Sequence, residues 1–255
     1  MSKLRLCLAV LLCFSVSPAF ALFQNGGFET GDFTGWTLDY GWRDDYNRNI
    51  YWGQADHGLK AVIDNTATMP GQTLDINPYN GSYMARINDI DGDNHATKIW
   101  QQDTISQQDL DDGGNLYVNW GAVLDDPQHD KVEQPYFGIS VWVAGILQDT
   151  FEADASDAAS NGWIVAGNYY GDPLYYKSDT WVYDISTFNL GDPVKVEMFV
   201  ADCSLGGHGG YAFLDGIGTT YQPPTGGGVP APGALLLGCI GTGVSAWLAR
   251  RRTLA

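Results

Sequence analysis

The chain has 255 residues, of which 44% are hydrophobic, 13% aromatic and 17% charged, so it has room for one large β domain or two small domains. The aromatic content excludes a fully disordered chain, and 32 glycines without a three-residue period exclude collagen. The formal net charge is −17, and residues 22–228 carry 8 basic and 30 acidic side chains, which excludes nucleic acid as a partner and favours cations such as Ca2+.

The first 21 residues have the three parts of a secretory signal peptide. Lys3 and Arg5 precede an apolar run at 6–15, and an A-x-A cleavage site ends at Ala21. A buried N-terminal helix is the alternative, but the polar, glycine-rich segment that follows argues against it. We expect cleavage between Ala21 and Leu22 and export of the remaining chain.

Residues 22–222 have the alternating pattern of β-strands and no convincing amphipathic helix. Strands are predicted at 59–63, 81–87, 97–105, 115–123, 136–143, 146–151, 180–184, 194–201 and 211–217. The strands at 136–143 and 146–151 should form a hairpin around Ala144-Gly145. Long loops are expected near 40–56, 106–114 and 152–179. The pattern predicts an all-β fold, an antiparallel β-sandwich or jelly roll.

Two segments resemble the ends of a galactose-binding-like jelly roll, the fold of many carbohydrate-binding modules. Residues 25–36 (NGGFETGDFTGW) resemble its first strand, and residues 211–217 (YAFLDGI) are similar to its last strand. The resemblance implies that these strands are neighbours and share a structural Ca2+, with Glu29 and Asp215 as carboxylate ligands. Ca2+ takes about 6–8 oxygen ligands, so nearby carbonyl groups would supply the others.

A second candidate Ca2+ site is the acidic turn at residues 89–94 (DIDGDN). Asp89, Asp91 and Asp93 are spaced two residues apart around Gly92, which allows three carboxylates to converge on a hard cation. The turn departs from an EF-hand loop, which has Gly at its sixth position and Glu at its twelfth. The alternative is a solvated acidic turn.

Aromatic residues cluster in two polar segments. Trp42 and Trp52 lie in a segment rich in Asp, Asn and Arg, and Tyr170 and Tyr176 flank the turn at 171–173. Aromatic faces beside amides and carboxylates suit sugar stacking and hydrogen bonding, so these four residues are predicted carbohydrate contacts. Packing against the core beneath long loops is the alternative for both clusters.

The sequence contains none of the known catalytic motifs, and no spacing of its Cys and His residues predicts a zinc site. The acidic cluster at 125–133, which includes His129, is interpreted as a loop between strands. His208 lies between two glycine pairs and is interpreted as a loop residue, with metal ligation or ligand contact as alternatives. Cys203 is the only cysteine in 22–222, so it is either a buried structural thiol or an intermolecular partner.

The chain ends in a linker, an apolar span and a basic cluster. Residues 223–228 have a Pro/Gly linker composition, and residues 229–249 carry no charge. About 20 helical residues span a bilayer, and Arg250, Arg251 and Arg252 follow as a cytoplasmic stop. The pattern predicts a single C-terminal transmembrane helix, with a buried helix of a soluble domain as the alternative.

This three-part order resembles the PEP-CTERM sorting signal of Gram-negative bacteria. Val229, Pro230, Ala231 and Pro232 match its proline-containing motif, with Ala231 where the family most often has Glu. The resemblance implies processing by an exosortase and delivery to the cell surface or the extracellular matrix. The C-terminal helix would anchor the chain in the membrane, at least before processing.

These features divide the chain into a signal peptide (1–21), a β-sandwich ectodomain (22–222), a linker (223–228) and a sorting signal (229–255). They predict a secreted, surface-sorted protein without enzymatic activity, which has a structural or adhesive role and contacts exopolysaccharide. The alternatives are a dedicated carbohydrate-binding module and an extracellular polysaccharide hydrolase. No catalytic carboxylate pair can be chosen from 30 acidic residues by sequence.

Overall fold

The structure is a computed structural model that describes residues 22–44, 47–53, 58–66, 71–157 and 162–223. The predicted signal peptide and the predicted sorting signal lie outside the described residues. Within the described part of the chain, no helix combines the length and the apolar composition that a bilayer crossing requires.

The described residues form two six-stranded antiparallel sheets, which confirms the predicted all-β sandwich. Sheet A has the strand order β2-β1-β5-β11-β7-β8 and contains β1 (Thr37–Arg43), β2 (Ile50–Trp52), β5 (His95–Thr104), β7 (Tyr136–Val143), β8 (Ile146–Asp154) and β11 (Pro193–Ala201). Sheet B has the order β3-β4-β12-β6-β10-β9 and contains β3 (Ala61–Asp64), β4 (Met84–Ile87), β6 (Asn115–Asp125), β9 (Ile164–Tyr169), β10 (Asp172–Asp184) and β12 (Gly210–Gly218). A short helix, α1 (Gln107–Asp111), and a 3-10 turn (Ala155–Asp157) complete the regular structure of these residues.

The main apolar core lies between the two sheets. In β11, Val194, Val196, Met198 and Val200 are fully buried, and the residues between them point to the other face. Their partners in the core include buried residues of β6 and β12 from sheet B. Burial of each aliphatic side chain of this size stabilises the folded state by about 1.5–3 kcal/mol. Because side chains alternate between the two faces of a strand, the positions of these residues determine which face of each sheet points inward.

The predicted hairpin is confirmed. β7 and β8 pair in antiparallel register from Val143 and Ile146 to Tyr136 and Asp154. The two turn residues, Ala144 and Gly145, have φ angles of 50° and 78°. Positive φ at both central residues is typical of the tight turn that matches the twist of paired strands.

The predicted long loops were wrong in part. Residues 40–56 contain β2 and the end of β1, and residues 106–114 contain α1, which Ser106 caps. Residues 152–179 contain the end of β8, all of β9 and the first half of β10. β9 is an edge strand with much exposed surface, so its residues need not be apolar and the segment resembles a loop in sequence.

The opening segment 25–36 is not a strand, contrary to the prediction. It consists of turns, and Asn25 and Phe28 have φ angles of 53° and 56°, which a strand does not allow. The segment nevertheless lies beside the last strand, as predicted, because the N–H of Ile217 in β12 donates to the carbonyl oxygen of Gly26 at 2.9 Å.

Candidate functional site

The outer face of sheet A carries a row of aromatic and charged side chains. Directly paired residues of neighbouring strands share one face of a sheet. Glu197 in β11 pairs with Trp100 in β5, and Lys195 in β11 pairs with Trp142 in β7. Because the alternate residues of β11 are in the core, these four side chains all lie on the outer face.

These side chains line a groove with a volume of about 450 Å³, here called the sheet A groove. Its lining consists of Lys98, Trp100, Gln102, Trp142, Gly145, Pro193, Lys195 and Glu197. Volumes of about 300–1,000 Å³ are typical of sites for small ligands. The groove therefore has space for a few sugar units.

Lysine ammonium groups lie against the tryptophan rings. The Nζ atom of Lys195 is 4.5 Å from the centre of the Trp142 ring and 5.9 Å from that of Trp100. The Nζ atom of Lys98 is 4.2 Å from the centre of the Trp52 ring. Glu197 Oε2 lies 3.2 Å from the Lys195 ammonium and 3.8 Å from that of Lys98. These contacts hold the side chains in place on the rigid sheet, which favours a preformed site.

The groove has the chemistry of a carbohydrate site. Half-exposed indole rings offer apolar faces for the C–H groups of a pyranose, and lysine, glutamate and glutamine side chains offer donors and acceptors for its hydroxyl groups. Among the described lining residues, Glu197 is the single carboxylate.

The four aromatic residues predicted from the sequence do not come together. Trp52 lies on the outer face of sheet A, where it contacts Lys98. Trp42 pairs with Tyr51, so it lies on the opposite face of the same sheet. Tyr170 is 90% exposed in the turn between β9 and β10, and Tyr176 is half-buried on sheet B.

Trp100 and Trp142 were missed by the sequence reasoning. Each stands alone at a half-buried position of a strand that was correctly predicted, where an aromatic residue also fits ordinary packing. A usable signal was present, since polar and aromatic residues alternate with apolar ones in β5, β7 and β11. That signal is meaningful only when the three strands are known to be neighbours.

Glu29 and Asp215, the residues implied by the jelly-roll resemblance, do lie close together. A Cβ atom on Gly27 would be 3.6 Å from Asp215 Oδ1 and 3.7 Å from Glu29 Cγ. The loop at 80–83 closes the site, because the N–H of Asn80 donates to Asp215 Oδ2 at 2.8 Å and those of Ser82 and Tyr83 donate to Glu29 Oε1.

The Asp215 carboxyl group fits a cation ligand. Burial, with a further contribution from the Glu29 charge, raises the pKa of Asp215 to about 7, although backbone N–H groups oppose the shift. Its Oδ1 atom is buried and has no hydrogen-bond partner among the described residues. A buried carboxylate oxygen without a donor is costly, and a bound cation would remove that cost.

The acidic turn is arranged differently from the prediction. The Lys60 ammonium lies between Asp89 and Asp93, at 2.9 Å from Asp89 Oδ1 and 3.0 Å from Asp93 Oδ2. Asp91 is turned away, and its Oδ1 accepts a hydrogen bond from the Tyr169 hydroxyl at 3.4 Å. Lys60 thus supplies positive charge to Asp89 and Asp93, two of the three carboxylates that were predicted to bind Ca2+ together with Asp91.

No family model matches the sequence, and no curated protein matches it. Solved structures similar to the chain include the carbohydrate-binding module TmCBM61 in complex with β-1,4-galactotriose, at 12% identity and a TM-score of 0.42 over 78% of this chain and 97% of that one. They also include CBM27-1 of Caldicellulosiruptor saccharolyticus in complex with mannohexaose, at 13% identity and a TM-score of 0.39 over 78% and 96%. A cyclase from Fischerella sp. TAU is similar at 12% identity and a TM-score of 0.42 over 82% and 100%.

Proposed function

We propose that this protein is a carbohydrate-binding module that contacts polysaccharide through the sheet A groove. The observation that carries the proposal is the position of Trp100 and Trp142, which flank Lys195 and Glu197 in one groove of about 450 Å³. Ring faces and charged hydrogen-bonding groups on a rigid sheet are what a sugar chain requires for recognition.

Export and surface sorting form the second part of the proposal. They are supported by the signal peptide pattern at 1–21 and by the apolar span and arginine cluster at 229–255. An exosortase would process the C-terminal signal, and the protein would act at the surface of a Gram-negative bacterium or in its matrix. Its role there would be structural or adhesive, through bound exopolysaccharide.

A bound Ca2+ ion is the third part of the proposal. Glu29 and Asp215 would hold it, and its function would be to join the opening segment to β12. The unpaired Oδ1 of Asp215 supports this assignment, whereas the ammonium group of Lys60 between Asp89 and Asp93 makes the turn with Asp89, Asp91 and Asp93 a weaker candidate.

The groove proposal is tested by glycan-array binding of the purified protein, followed by affinity measurements on the polysaccharide that binds. Trp100→Ala and Trp142→Ala should each weaken the affinity at least about 10-fold, because central aromatic residues dominate binding energy. Tyr170→Ala is the matched control, since it removes an exposed aromatic ring from the turn between β9 and β10, outside the groove, and should leave binding unchanged.

Two results would overturn the groove proposal. One is the absence of binding across neutral and charged glycans by a protein that circular dichroism shows to be folded. The other is equal loss of affinity in Tyr170→Ala and in the two tryptophan variants. Release of shortened sugar chains by the wild-type protein would instead indicate a hydrolase.

A further inference from the structure

Five potential metal ligands converge at one end of the sandwich. His129 lies in the loop between β6 and β7, and Cys203 and His208 lie in the loop between β11 and β12. Asp125 ends β6 and Asp172 begins β10. The ligand atoms of His129, Cys203 and His208 all lie within 4.8 Å of one another, and so do those of Asp125, Asp172 and His208. We call these five residues the loop-end cluster.

The nitrogen and sulfur atoms already have a spacing suitable for one ion. His129 Nδ1 is 3.3 Å from Cys203 Sγ. In a tetrahedral zinc site, Zn–S and Zn–N bonds of about 2.3 Å and 2.0–2.1 Å place sulfur and nitrogen about 3.6 Å apart. The rings of His129 and His208 meet edge to face, with their centres 5.1 Å apart.

His208 has one nitrogen held by a carboxylate and one without a partner. Its Nε2 lies 3.5 Å from Asp172 Oδ2, whereas its Nδ1 is buried and has no hydrogen-bond partner among the described residues. Metal-bound histidines commonly use the second ring nitrogen to contact a carboxylate, which fixes the orientation of the ring. Asp172 therefore has the position of an orienting residue.

Asp125 provides an independent indication that this cluster favours positive charge. Its side chain is 1% exposed, and neither carboxylate oxygen has a hydrogen-bond partner among the described residues. An unpaired buried carboxylate is strongly unfavourable, and proteins normally pair such groups or bind metals with them. A carboxylate oxygen of Asp125 lies within 4.8 Å of ligand atoms of Asp172 and His208, so positive charge carried by metal-bound His208 would reduce this cost.

The chemistry of the cluster selects the class of metal. Ca2+ and Mg2+ prefer oxygen ligands, whereas thiolate and imidazole together favour a transition metal such as Zn2+. Cys203 is fully buried, which argues against a second interpretation as a nucleophile that meets a substrate.

We propose that His129, Cys203 and His208 bind one Zn2+ ion, with Asp172 as the residue that orients His208. Cys203 binds as the thiolate and releases its proton to solvent, and both histidines bind as neutral imidazoles. The ion joins the loop at 126–135 to the loop at 202–209. The thiolate ligand is closed off from solvent, which favours a structural site.

The zinc site is separate from the sheet A groove. The groove reaches the end of β7 and the start of β11, at Gly145 and Pro193. The loop-end cluster lies beyond the start of β7 and the end of β11, at the other end of the same strands. The outcome of a metal measurement is therefore independent of the outcome of glycan binding.

The test uses the full chain, purified without chelator and then loaded with Co2+ in place of Zn2+. Elemental analysis should find about one zinc per chain, and the cobalt form should show a thiolate-to-cobalt charge-transfer band in the near ultraviolet. Cys203→Ser should abolish that band. Cys239→Ser, which removes a thiol outside the described residues, is the matched control and should retain it.

A second variant keeps the proposal falsifiable if Cys203→Ser does not fold. Asp172→Asn preserves the size of the side chain and should weaken metal affinity about 10- to 100-fold, since it removes only the orienting carboxylate. A folded wild-type chain that binds neither Zn2+ nor Co2+ would overturn the proposal. A charge-transfer band that persists in folded Cys203→Ser would overturn it as well.

Discussion

His129 Nδ1 lies 3.3 Å from Cys203 Sγ, although 74 positions separate the two residues in sequence. The contact exists because β7 and β11 are antiparallel neighbours, with Tyr136 paired to Ala201. The loop that enters β7 and the loop that leaves β11 are therefore side by side. The register of sheet A, rather than the spacing of the two residues along the sequence, brings the imidazole of His129 to the thiol of Cys203.

Gly209 tests how closely the loop between β11 and β12 must pack against the turn at 89–94. A Cβ atom at this position would lie 2.5 Å from the carbonyl carbon and oxygen of Ile90, which is far inside van der Waals contact. We expect Gly209→Ala to lower the melting temperature by several degrees and to weaken Zn2+ binding, although every proposed ligand remains. Thermal unfolding with and without Zn2+ measures both effects.

The control for Gly209→Ala is Gly27→Ala, measured without Ca2+. Its added Cβ atom would make ordinary contacts at 3.6 Å and 3.7 Å. Equal destabilisation by the two substitutions would show that close packing of Gly209 against Ile90 is not the cause.

Arg43 is a fully buried cation that holds three segments of the chain together. Its guanidinium donates to the carbonyl oxygens of Gln134 and Asp202 at 2.6 Å, and to those of Asn47 and Val132. Burial lowers the pKa of Arg43. Arg43→Met should reduce the free energy of unfolding by at least about 3 kcal/mol, because it leaves buried carbonyl groups without donors. Urea denaturation measures this loss.

Arg86→Met is the matched control for Arg43→Met. Arg86 is partly exposed and pairs with Asp64 at 2.7 Å. Ion pairs of this kind contribute about 0–1 kcal/mol, so the loss should be much smaller. Comparable losses in the two variants would contradict the role assigned to the buried carbonyl groups.

The contribution of Asp215 to the pH dependence of stability should disappear when Ca2+ binds. Its pKa is raised to about 7 by burial, so without Ca2+ the folded state holds the proton more tightly than the unfolded state does. The free energy of unfolding should therefore fall as the pH rises from about 4 to about 7, by at most about 4 kcal/mol from this group. Bound Ca2+ favours the ionised form and should remove the fall.

The measurement is chemical denaturation at pH 5 and pH 7.5, with chelator or with millimolar Ca2+. Burial also raises the pKa of Asp125 and Asp202, so the contribution of Asp215 is the difference between the wild-type chain and Asp215→Asn. Identical pH dependence of the two chains in chelator, together with no effect of Ca2+, would exclude this site.

The charge of the chain predicts a preference for neutral polysaccharides. Lys98 and Lys195 in the groove lie close to Glu197, and Lys98 also lies 3.7 Å from Asp39, so local charges balance. The chain as a whole has a net charge of −17, which repels carboxylated glycans. Neutral cellulose should bind more tightly than its carboxymethylated form in 20 mM NaCl, and the difference should narrow in 200 mM NaCl as screening increases. Tighter binding of the carboxylated form would contradict this prediction.

Each of the nine strands predicted from the sequence overlaps an observed strand, because alternation of polar and apolar residues is a local property. The strands that were missed are β1, β2, β9 and the first half of β10. β2 and β9 are edge strands, and β1 lies beside the edge. Burial there is incomplete, so the apolar signal is weak.

The predictions of site residues also succeeded or failed according to whether they carried information about which segments are neighbours in the fold. The jelly-roll resemblance correctly placed Glu29 near Asp215, since it carried information about which segments are neighbours. Trp42 and Trp52 were grouped by their closeness in sequence, but strand pairing places them on opposite faces of sheet A. Trp100 and Trp142 were overlooked because they lie in β5 and β7, with all of β6 between them along the chain.

The amino-acid sequence by itself determined the class of fold, the inward faces of the central strands and the acidic character of the surface. Those properties depend on each residue and its near neighbours. Only the tertiary structure decided that Trp100 and Trp142 share a groove and that His129, Cys203 and His208 share a cluster. Both sites are assembled across strand pairs and loops that are distant in sequence, so strand order and register, set by packing of the whole core, had to be known first.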